Sequence, residues 1–528
     1  MKVVVCDPID EGALAALSSR QGVTVHVCPK PPAEAELLSL ARDADALIVR
    51  SQTKVTASVI AAARNLRVIG RAGAGVDNVD LAEATRRGIV VMNAPEGNSI
   101  AAAEHSLSLL MSLARHIPQA ARSLRDGRWE RGRFTGVELA GKTLGVLGFG
   151  RVGREVSRRA LAGRMRVLAY DPFVPAQVIR DLGAESGELD AVLAESDFLT
   201  LHLPLTPETR GLIGAAALKK VRRGVRIVNC ARGELIDEPA LATAIRSGQV
   251  AGAALDVFAA EPPADRTLIE MDEVIATPHL GASTIEAQRR VGEQIVTKVL
   301  DFLATGLPAD AVNFPSIPPE QAARLRPFVG LCERIGAFLA QVGPPAPRKI
   351  EIRYRGDLAA LDTRPLTMAA VKGVLAPALG AQIGYVNALP VAAERGLSVQ
   401  QTVSRDPVPY SSLVEIRLSG ESGDALACSG TVVRGEEARI VSVGGIAIEA
   451  APNGRFLFFR NADVPGVIGT IGTLLGQAGI NIAAMALGRD REQGTAVAIV
   501  AVDSEVPDAV MGQIRARPEF AFVRQVRF

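Results

Sequence analysis

Three polar residues that could together move a proton follow the ends of predicted strands. Arg232, Glu261 and His279 each come after a short apolar run that predicts a buried strand. Because the carboxyl ends of parallel strands meet at one edge of a sheet, we expect the three side chains to converge there. A histidine suits proton transfer, a bonded carboxylate would fix its tautomer, and an arginine could pair with a substrate carboxylate. The pattern predicts acid–base chemistry on a small acidic molecule.

A glycine-rich turn precedes these residues. The apolar run 143–147 predicts a strand, and Gly148, Gly150 and Gly153 then lead into a helical pattern with G-x-G-x-x-G spacing. A second strand ends on Asp171, about 20 residues after the glycines. Such a unit binds a dinucleotide: the glycines allow a tight turn, the helix start binds pyrophosphate, and the acid accepts bonds from ribose hydroxyls. A carboxylate at that position favours NAD over NADP, because a 2′-phosphate would be repelled.

The bulk composition limits the function classes. The chain has 528 residues and a net charge of +2, so its overall charge gives no case for nucleic acid or an anionic membrane as a partner. Apolar stretches are broken by charge or proline before they reach membrane-spanning length. The 5 cysteines are scattered and lack C-x-x-C spacing, which predicts reduced thiols in a cytoplasmic protein and no metal site.

Strands and helices alternate through the first half of the chain. This order predicts two doubly wound parallel-sheet α/β domains, one flavodoxin-like and one of the Rossmann type. A long helix is expected from Ile100 to roughly Ile117, and the proline-rich stretch 313–319 reads as a linker. An α+β region then follows, and the last ~75 residues have a βαββαβ order that is typical of a ferredoxin-like fold.

Four motifs carry a resemblance to a known family. They are the glycine turn and the stretches Asn229–Asp237, Ala254–Pro262 and Pro278–Thr284. Over essentially its whole length the chain resembles the D-isomer-specific 2-hydroxyacid dehydrogenases, and among them the long enzymes of serine biosynthesis. The resemblance implies NAD-dependent oxidation of 3-phospho-D-glycerate to 3-phosphooxypyruvate. It also implies a substrate-binding domain that is interrupted by the cofactor domain.

The same resemblance implies the domain boundaries. They are 1–97 with 284–316 for the substrate-binding domain, 98–283 for the NAD-binding Rossmann domain, 317–452 for an intervening domain and 453–528 for an ACT regulatory domain.

Site residues follow from the resemblance as well. The implied catalytic residues are Arg232, Glu261 and His279, with His279 as the acid/base. The implied cofactor-binding residues are Ala74, Gly148, Gly150, Arg151, Val152, Gly153, Asp171, Leu203, Cys230, Ala231 and Asp256. The implied substrate-binding residues are Arg50, Ser51, Gly73 and Asn98, with Arg50 near the phosphate. The resemblance also implies that an arm around Arg131 and Arg133 reaches a neighbouring subunit's site, where either arginine could meet the substrate phosphate.

Partners and regulation are implied in the same way. The ACT unit resembles domains that bind serine at a dimer interface, which implies effector contacts from Asn461, Asp463 and Asn481. L-serine is therefore an expected effector and 3-phosphoglycerate the expected substrate, in a homotetramer or homodimer.

Two other functions remain open at this point. A glyoxylate, hydroxypyruvate or other D-2-hydroxyacid reductase would use the same acid–base residues. That function would not explain why the chain has two additional C-terminal domains. A non-catalytic NAD-sensing protein would keep the glycine turn, but it would not need Arg232, Glu261 and His279 together.

Overall fold

The structure is a computed structural model that describes residues 1–306, 308, 310–315, 317 and 319–528. Four sheets organise the described part of the chain. The predicted linker 313–319 falls partly on Ser316 and Pro318, which lie outside the described residues. Among the described residues, no helix has both the length and the apolar character needed to cross a membrane.

The first sheet has five parallel strands in the order β2-β1-β3-β4-β5. Its strands are β1 (Lys2–Val5), β2 (Thr24–Val27), β3 (Ala46–Val49), β4 (Val68–Arg71) and β5 (Val90–Asn93). The helices between them are α1 (Glu11–Ser18), α2 (Glu34–Ala41), α3 (Ala57–Ala62) and α4 (Leu81–Arg86). The central strands β3 and β4 are valine- and isoleucine-rich and almost fully buried, as a parallel sheet covered on both faces requires.

The second sheet has seven parallel strands in the order β12-β11-β10-β9-β6-β7-β8. Its strands are β6 (Thr143–Leu147), β7 (Arg166–Tyr170), β8 (Glu185–Ser186), β9 (Phe198–Leu201), β10 (Val225–Asn229), β11 (Val250–Leu255) and β12 (Val274–Ala276). Its helices are α5 (Ser99–Arg115), α6 (Ile117–Arg125), α7 (Arg151–Ala162), α8 (Ala176–Asp181), α9 (Leu189–Glu195), α10 (Ala215–Lys220) and α11 (Glu238–Arg246). Short 3₁₀ turns occur at Arg131–Phe134 and Gly233–Leu235.

The long helix expected up to Ile117 is divided in the structure. α5 ends at Arg115 and α6 begins at Ile117, with His116 between them in the left-handed conformation at φ 53°. Pro118 explains the break, because proline has no N–H for the helical ladder and its ring clashes with the carbonyl four residues earlier. The prediction of one continuous helix was therefore wrong at its last turn.

A long helix after the second sheet returns to the first one. This helix is α12 (Ile285–Thr305), and its Val291, Ile295 and Val299 share a core with Val3 and Val5 of β1. The contact is so close at β4 that a Cβ on Gly70 would lie 2.7 Å from the side chain of Val299. A glycine is needed there, since any larger residue would push the helix off the sheet.

The third sheet is mixed and begins after a 24-residue helix, α13 (Pro319–Val342). Its order is β14-β13-β15-β16-β17-β18, with β13 and β14 parallel and the other pairs antiparallel. The strands are β13 (Pro347–Gly356), β14 (Ser398–Ser404), β15 (Ser412–Gly420), β16 (Ala425–Val433), β17 (Glu437–Val443) and β18 (Ile446–Ala450). The helices are α14 (Arg364–Leu379) and α15 (Ala388–Glu394), with 3₁₀ turns at Asp357–Ala360 and Gly380–Gln382.

The C-terminal sheet is antiparallel, with the order β20-β21-β19-β22. Its elements follow the expected βαββαβ order: β19 (Arg455–Ala462), α16 (Val467–Gln477), β20 (Ile482–Asp490), β21 (Thr495–Val502), α17 (Asp508–Arg515) and β22 (Phe520–Arg527). One face of this sheet packs on α13, where the ring of Phe338 lies 6.0 Å from that of Phe456 and 5.2 Å from that of Phe458. The predicted fold classes are confirmed.

Candidate active site

The acid–base pair forms beyond the ends of β11 and β12. His279 Nδ1 lies 2.7 Å from Glu261 Oε2, and the other oxygen of Glu261 accepts the backbone N–H of Phe258 at 3.2 Å. The hydrogen bond to Glu261 raises the pKa of His279 above its ordinary value. Burial opposes ionisation of Glu261, but the hydrogen bond and the charge of His279 together with the N–H of Phe258 outweigh burial, and the pKa of Glu261 is lowered. The pair is therefore poised to hold a proton on the imidazole.

Arg232 reaches this edge from β10. Its Nε donates to Asp77 Oδ2 at 2.9 Å, in the loop after β4 of the first sheet, and its Nη1 donates to the carbonyl of Ala231 at 2.7 Å. A Cβ on Gly75 would lie 1.9 Å from Nη2, so a larger residue there would displace the guanidinium from this position. The charge of Arg232 also lowers the pKa of His279, in opposition to Glu261. The structure thus brings the three predicted residues to one edge.

A second arginine at this edge was missed by the sequence reasoning. Arg71 ends β4, and its Nε is buried without a hydrogen-bond partner among the described residues. Burial, followed by the nearby positive charges of Arg232 and Arg50, lowers the pKa of Arg71 to about 10. Asp77 and Asp7 attract this guanidinium only in part, and a buried donor without a partner is costly unless a ligand supplies an acceptor. The G-R-A-G run after a predicted strand was the available signal.

The glycine turn has the shape that a pyrophosphate requires. Gly148 has φ 95°, and a Cβ on it would lie 2.7 Å from the carbonyl of His202. A Cβ on Gly153 would lie 2.0 Å from the carbonyl oxygen of Gly148, whereas a Cβ on Gly150 would meet nothing within 4 Å. Gly148 and Gly153 therefore fix the turn, and Gly150 leaves open space before the first turn of α7, which has no side-chain cap.

Asp171 stands at the end of β7 beside this turn. Its two oxygens accept the backbone N–H groups of Phe149 at 2.8 Å and Phe173 at 2.9 Å. The carboxylate remains partly exposed, as a group that accepts ribose hydroxyls must be. The residues present at this turn therefore fit a dinucleotide.

The other predicted cofactor residues surround the same edge of the sheet. Arg151 and Val152 begin α7, and Arg151 pairs with Glu96 at 3.0 Å. The residues at or just after the ends of β9, β10, β11 and β4 are Leu203, Cys230, Ala231, Asp256 and Ala74. The carbonyl of Ala74 accepts a bond from Asn93. Asp256 differs from the rest, because its carboxylate is fully buried and bonds to the protein interior.

The predicted substrate residues lie around the carboxyl ends of the first sheet. Arg50 follows β3, and its Nη1 donates to the carbonyl of Pro8 at 3.3 Å, while Ser51 is exposed. Gly73 follows β4 with φ 155°, and a Cβ on it would lie 1.5 Å from Nη1 of Arg71. Asn98 precedes α5 and makes no side-chain cap bond there.

Comparisons with known proteins identify the family. Residues 107–281 match the D-isomer specific 2-hydroxyacid dehydrogenase NAD binding domain, residues 324–444 the D-3-phosphoglycerate dehydrogenase intervening domain and residues 455–519 the ACT domain. A D-3-phosphoglycerate dehydrogenase from Synechocystis is 43% identical over 97% of this chain and 92% of the relative. Another from Archaeoglobus fulgidus is 43% identical over 97% of both chains. This chain belongs to the D-3-phosphoglycerate dehydrogenase family.

A solved structure of a related dehydrogenase extends the comparison. A D-lactate dehydrogenase from Aquifex aeolicus, solved with NAD and lactic acid, has a TM-score of 0.54 and 26% identity over 60% of this chain and 100% of its own. The predicted family, the predicted NAD cofactor and the predicted class, an oxidoreductase, are confirmed.

The predicted effector residues of the ACT domain do not contact one another in this family member. Asp463 pairs with Arg489 at 2.7 Å, and Asn481 donates to Asp503 at 2.6 Å. Asn461 is 4% exposed, and its buried Oδ1 has no hydrogen-bond partner among the described residues. Asp463 and Asn481 thus bond to other residues of the same domain.

The two arginines of the predicted arm are placed differently. Arg133 pairs with Asp272 of the same chain at 2.9 Å, whereas Arg131 is exposed and forms no ion pair with any residue that the structure describes. Arg131 is therefore the arginine whose charge is free to meet another molecule.

Replacing Glu261 with glutamine should shift the pH dependence of this dehydrogenase. The raised pKa of His279 means that the neutral imidazole, which oxidation requires, is lost as the pH falls through a value above 6.5. In Glu261→Gln that acidic limit should move to lower pH, towards the ordinary histidine value, and kcat should fall by about 10-fold. The measurement is a pH profile of kcat/KM, with Glu270→Gln as the control on an exposed carboxylate. An unmoved acidic limit would contradict the pairing.

Proposed function

We propose that this chain oxidises 3-phospho-D-glycerate to 3-phosphooxypyruvate with NAD⁺, the first step of serine synthesis. The observation that best supports this is the His279–Glu261 pair at 2.7 Å, at the sheet edge that Arg232 also reaches. The glycine turn before α7 opens at the same end of the sheet. The full-length relatives named D-3-phosphoglycerate dehydrogenase support the same activity.

The proton step belongs to His279. Because Nδ1 is held by Glu261, Nε2 is the free ring nitrogen and accepts the proton of the substrate's C2 hydroxyl. The O–H bond breaks as the N–H bond forms, and Glu261 stabilises the resulting imidazolium. When bound, NAD⁺ supplies the acceptor for the hydride that leaves C2. The hydroxyl oxygen becomes the carbonyl oxygen of the keto acid, so the substrate loses one proton and one hydride in total.

The anionic ends of the substrate meet the arginines. Arg232 has Nη donors left beyond its bonds to Asp77 and Ala231, and these can bind the substrate carboxylate beside the reacting carbon. We assign the phosphate to Arg50 and Arg71, because Arg71 forms no ion pair with any residue that the structure describes and its buried Nε has no hydrogen-bond partner there. Arg131 of a neighbouring subunit is the proposed third cation, since Arg133 is already paired.

The domain boundaries given by the sequence are part of the proposal. The packing of α12 on the first sheet supports joining 284–316 to 1–97, and the Asp77–Arg232 contact spans the cleft between the two parallel-sheet domains. Closure of such a cleft would exclude water from the hydride transfer. The cytoplasmic location predicted from the cysteines stays a prediction.

A homo-oligomer and inhibition by serine complete the proposal. Large apolar side chains are exposed on α5, α6 and the following arm, where Met111 is 51%, Leu124 58% and Trp129 77% exposed. Exposed large apolar groups on successive elements favour a protein partner, and we propose a second copy, in a dimer or tetramer. The ACT domain supports an amino-acid effector, and we propose L-serine.

The test is NADH formation from NAD⁺ with 3-phosphoglycerate, glycerate and D-lactate at equal concentration. A strong preference for the phosphorylated acid is expected. Activity on glycerate but not on its phosphate, or reduction of glyoxylate or hydroxypyruvate alone, would indicate a different 2-hydroxyacid reductase. Inactivity on all of them would favour an NAD-sensing protein. Repeating the assay with millimolar L-serine tests the effector, and an unchanged rate would reject it.

A further inference from the structure

A histidine outside the proposed catalytic set faces the loop that carries His279. His105 lies in the middle of α5, and its Nε2 is 3.1 Å from Asp256 Oδ1 and 3.3 Å from Thr277 Oγ1. Its side chain is only 19% exposed. The contacts place it beside the most buried carboxylate of the site.

Asp256 forms hydrogen bonds with residues that precede and follow His279 in the chain. Its Oδ1 accepts the hydroxyl of Thr277 at 2.6 Å and the N–H of Leu280 at 2.7 Å, and its Oδ2 accepts the N–H of Gly281 at 2.8 Å. The N–H of His279 itself donates to the backbone carbonyl of Asp256 at 2.9 Å. Residues 277–281 are therefore bonded to Asp256 at four points. We call these residues the His279 loop.

The His279 loop needs this restraint because its backbone is unfavourable. His279 has φ 54°, a left-handed conformation that is unfavourable for a non-glycine residue. Released from Asp256, the residue would relax towards ordinary φ values and carry its ring away from Glu261. The cost of the left-handed conformation is met by the bonds that converge on one carboxylate.

The tautomer of His105 follows from its neighbours. The hydroxyl of Thr277 has one proton, and that proton is donated to Asp256. Both groups that face Nε2 of His105 are therefore acceptors, so Nε2 must carry a proton and donate it. The carboxylate of Asp256 is ionised: burial opposes its charge, but the bonds from His105, Thr277 and the N–H of Leu280 together outweigh burial and lower its pKa.

A metal site is the competing interpretation of this cluster. The ligand atoms of His105, Cys230 and Asp256 lie within 4.8 Å of one another. However, the two oxygens of Asp256 already accept four donors, and burial raises the pKa of the Cys230 thiol to about 12, which keeps it protonated. A hydrogen-bonded network accounts for all these groups without an ion.

We propose that His105 is a positioning residue, which through Asp256 holds the His279 loop in its left-handed conformation. The proposal rests on the proposed function in that His279 is taken as the acid/base. His105 contacts neither substrate nor cofactor in this scheme. Among the described residues, its N–H is the one side-chain donor to Asp256 that comes from outside the loop, and so ties the loop to α5.

The test compares His105→Ala and His105→Gln in the full chain, with His116→Asn as the matched control. His116 lies at the end of the same helix in a left-handed conformation that asparagine tolerates, and within the described part of the chain its side chain forms no hydrogen bond or ion pair with the His279 loop. Hydrogen–deuterium exchange of a peptide covering 277–283 should become faster in His105→Ala, because the amides of Leu280 and Gly281 lose their anchored acceptor. It should stay unchanged in His116→Asn.

The kinetic signature is a split between kcat and KM. In His105→Ala we expect kcat to fall by about 10-fold or more with the KM for 3-phosphoglycerate unchanged. The isotope effect on kcat from substrate deuterated at C2 should increase, because a misplaced base makes the chemical step slower. His105→Gln, which keeps an N–H donor, should recover part of both losses.

Either of two results would overturn the inference. One is unchanged exchange of residues 277–283 in His105→Ala, and the other is a loss of kcat with no increase in isotope effect. If His105→Ala does not fold, the same exchange and isotope measurements are made on His105→Gln. A glutamine amide cannot reproduce the geometry of the imidazole in full, so this variant should still show a partial loss of both kinds. A wild-type chain that fails to oxidise 3-phosphoglycerate would overturn the proposed function instead, and the exchange measurement would still decide the role of His105.

Discussion

Replacing His279 with alanine should lower kcat by about 10²- to 10⁴-fold, the usual contribution of a positioned acid–base group. The physical reason is that His279 Nε2 is the free nitrogen of a ring held at 2.7 Å from Glu261. Without the ring, water would have to accept the hydroxyl proton, and water is a far weaker base at neutral pH. The acidic limit of the pH profile should also disappear, since the group whose protonation causes it is gone.

The measurement for His279→Ala is steady-state NADH formation together with NADH binding by fluorescence. Binding should be retained, because the glycine turn and Asp171 lie at other strand ends. His26→Ala, which removes an exposed histidine on β2, is the matched control and should behave like the wild type. A kcat that stays within a few-fold of wild type would remove His279 from the mechanism.

Replacing Arg71 with methionine should make the protein more stable and a poorer enzyme. The buried Nε of Arg71 has no partner among the described residues, and burial with the charges of Arg232 and Arg50 outweighs the attraction of Asp77 and Asp7, so the cation destabilises the folded state. Methionine keeps most of the volume and removes the charge. We expect Tm to rise by about 2–4 °C. We also expect the KM for 3-phosphoglycerate to rise by about 10- to 10²-fold, because the phosphate loses a charge-assisted bond.

Inorganic phosphate gives an independent readout of the same site. It should raise the Tm of the wild type and have little effect on Arg71→Met, since a ligand stabilises only the state that binds it. Arg64→Met, which removes an exposed arginine of the same domain, is the control for the loss of one positive charge. A lower Tm in Arg71→Met would mean that its charge is compensated inside the folded protein. A higher Tm with an unchanged KM would exclude Arg71 from substrate binding.

The parts of the site that are local in sequence could be predicted. Gly148, Gly150 and Gly153 have tasks set by a single turn, and that turn has the expected shape. The convergence of Glu261 and His279 could also be predicted, because parallel strands align their carboxyl ends.

Other features depend on packing between distant segments. Nothing near Arg71 in the sequence says that its guanidinium is buried beside Arg232, which comes from another domain. Asp256 was predicted to line the cofactor, and only the folded chain shows its carboxylate enclosed by His105 and the His279 loop. The resemblance implies that the effector contacts of the ACT domain lie at an interface between two chains, so the roles of those residues stay predictions.

The packing of Phe338 against Phe456 and Phe458 has a consequence for truncation. A domain boundary before residue 453 suggests that the C-terminal domain could be removed without harm to the rest. However, the aromatic face of α13 and one face of the C-terminal sheet belong to a single continuous core. Deleting residues 453–528 would remove both ring contacts that Phe338 makes with the C-terminal sheet and would leave that face of α13 open to water. The regulatory end of the chain is thus also a structural support, and loss of its effector site is best studied by point substitutions rather than by removing the module.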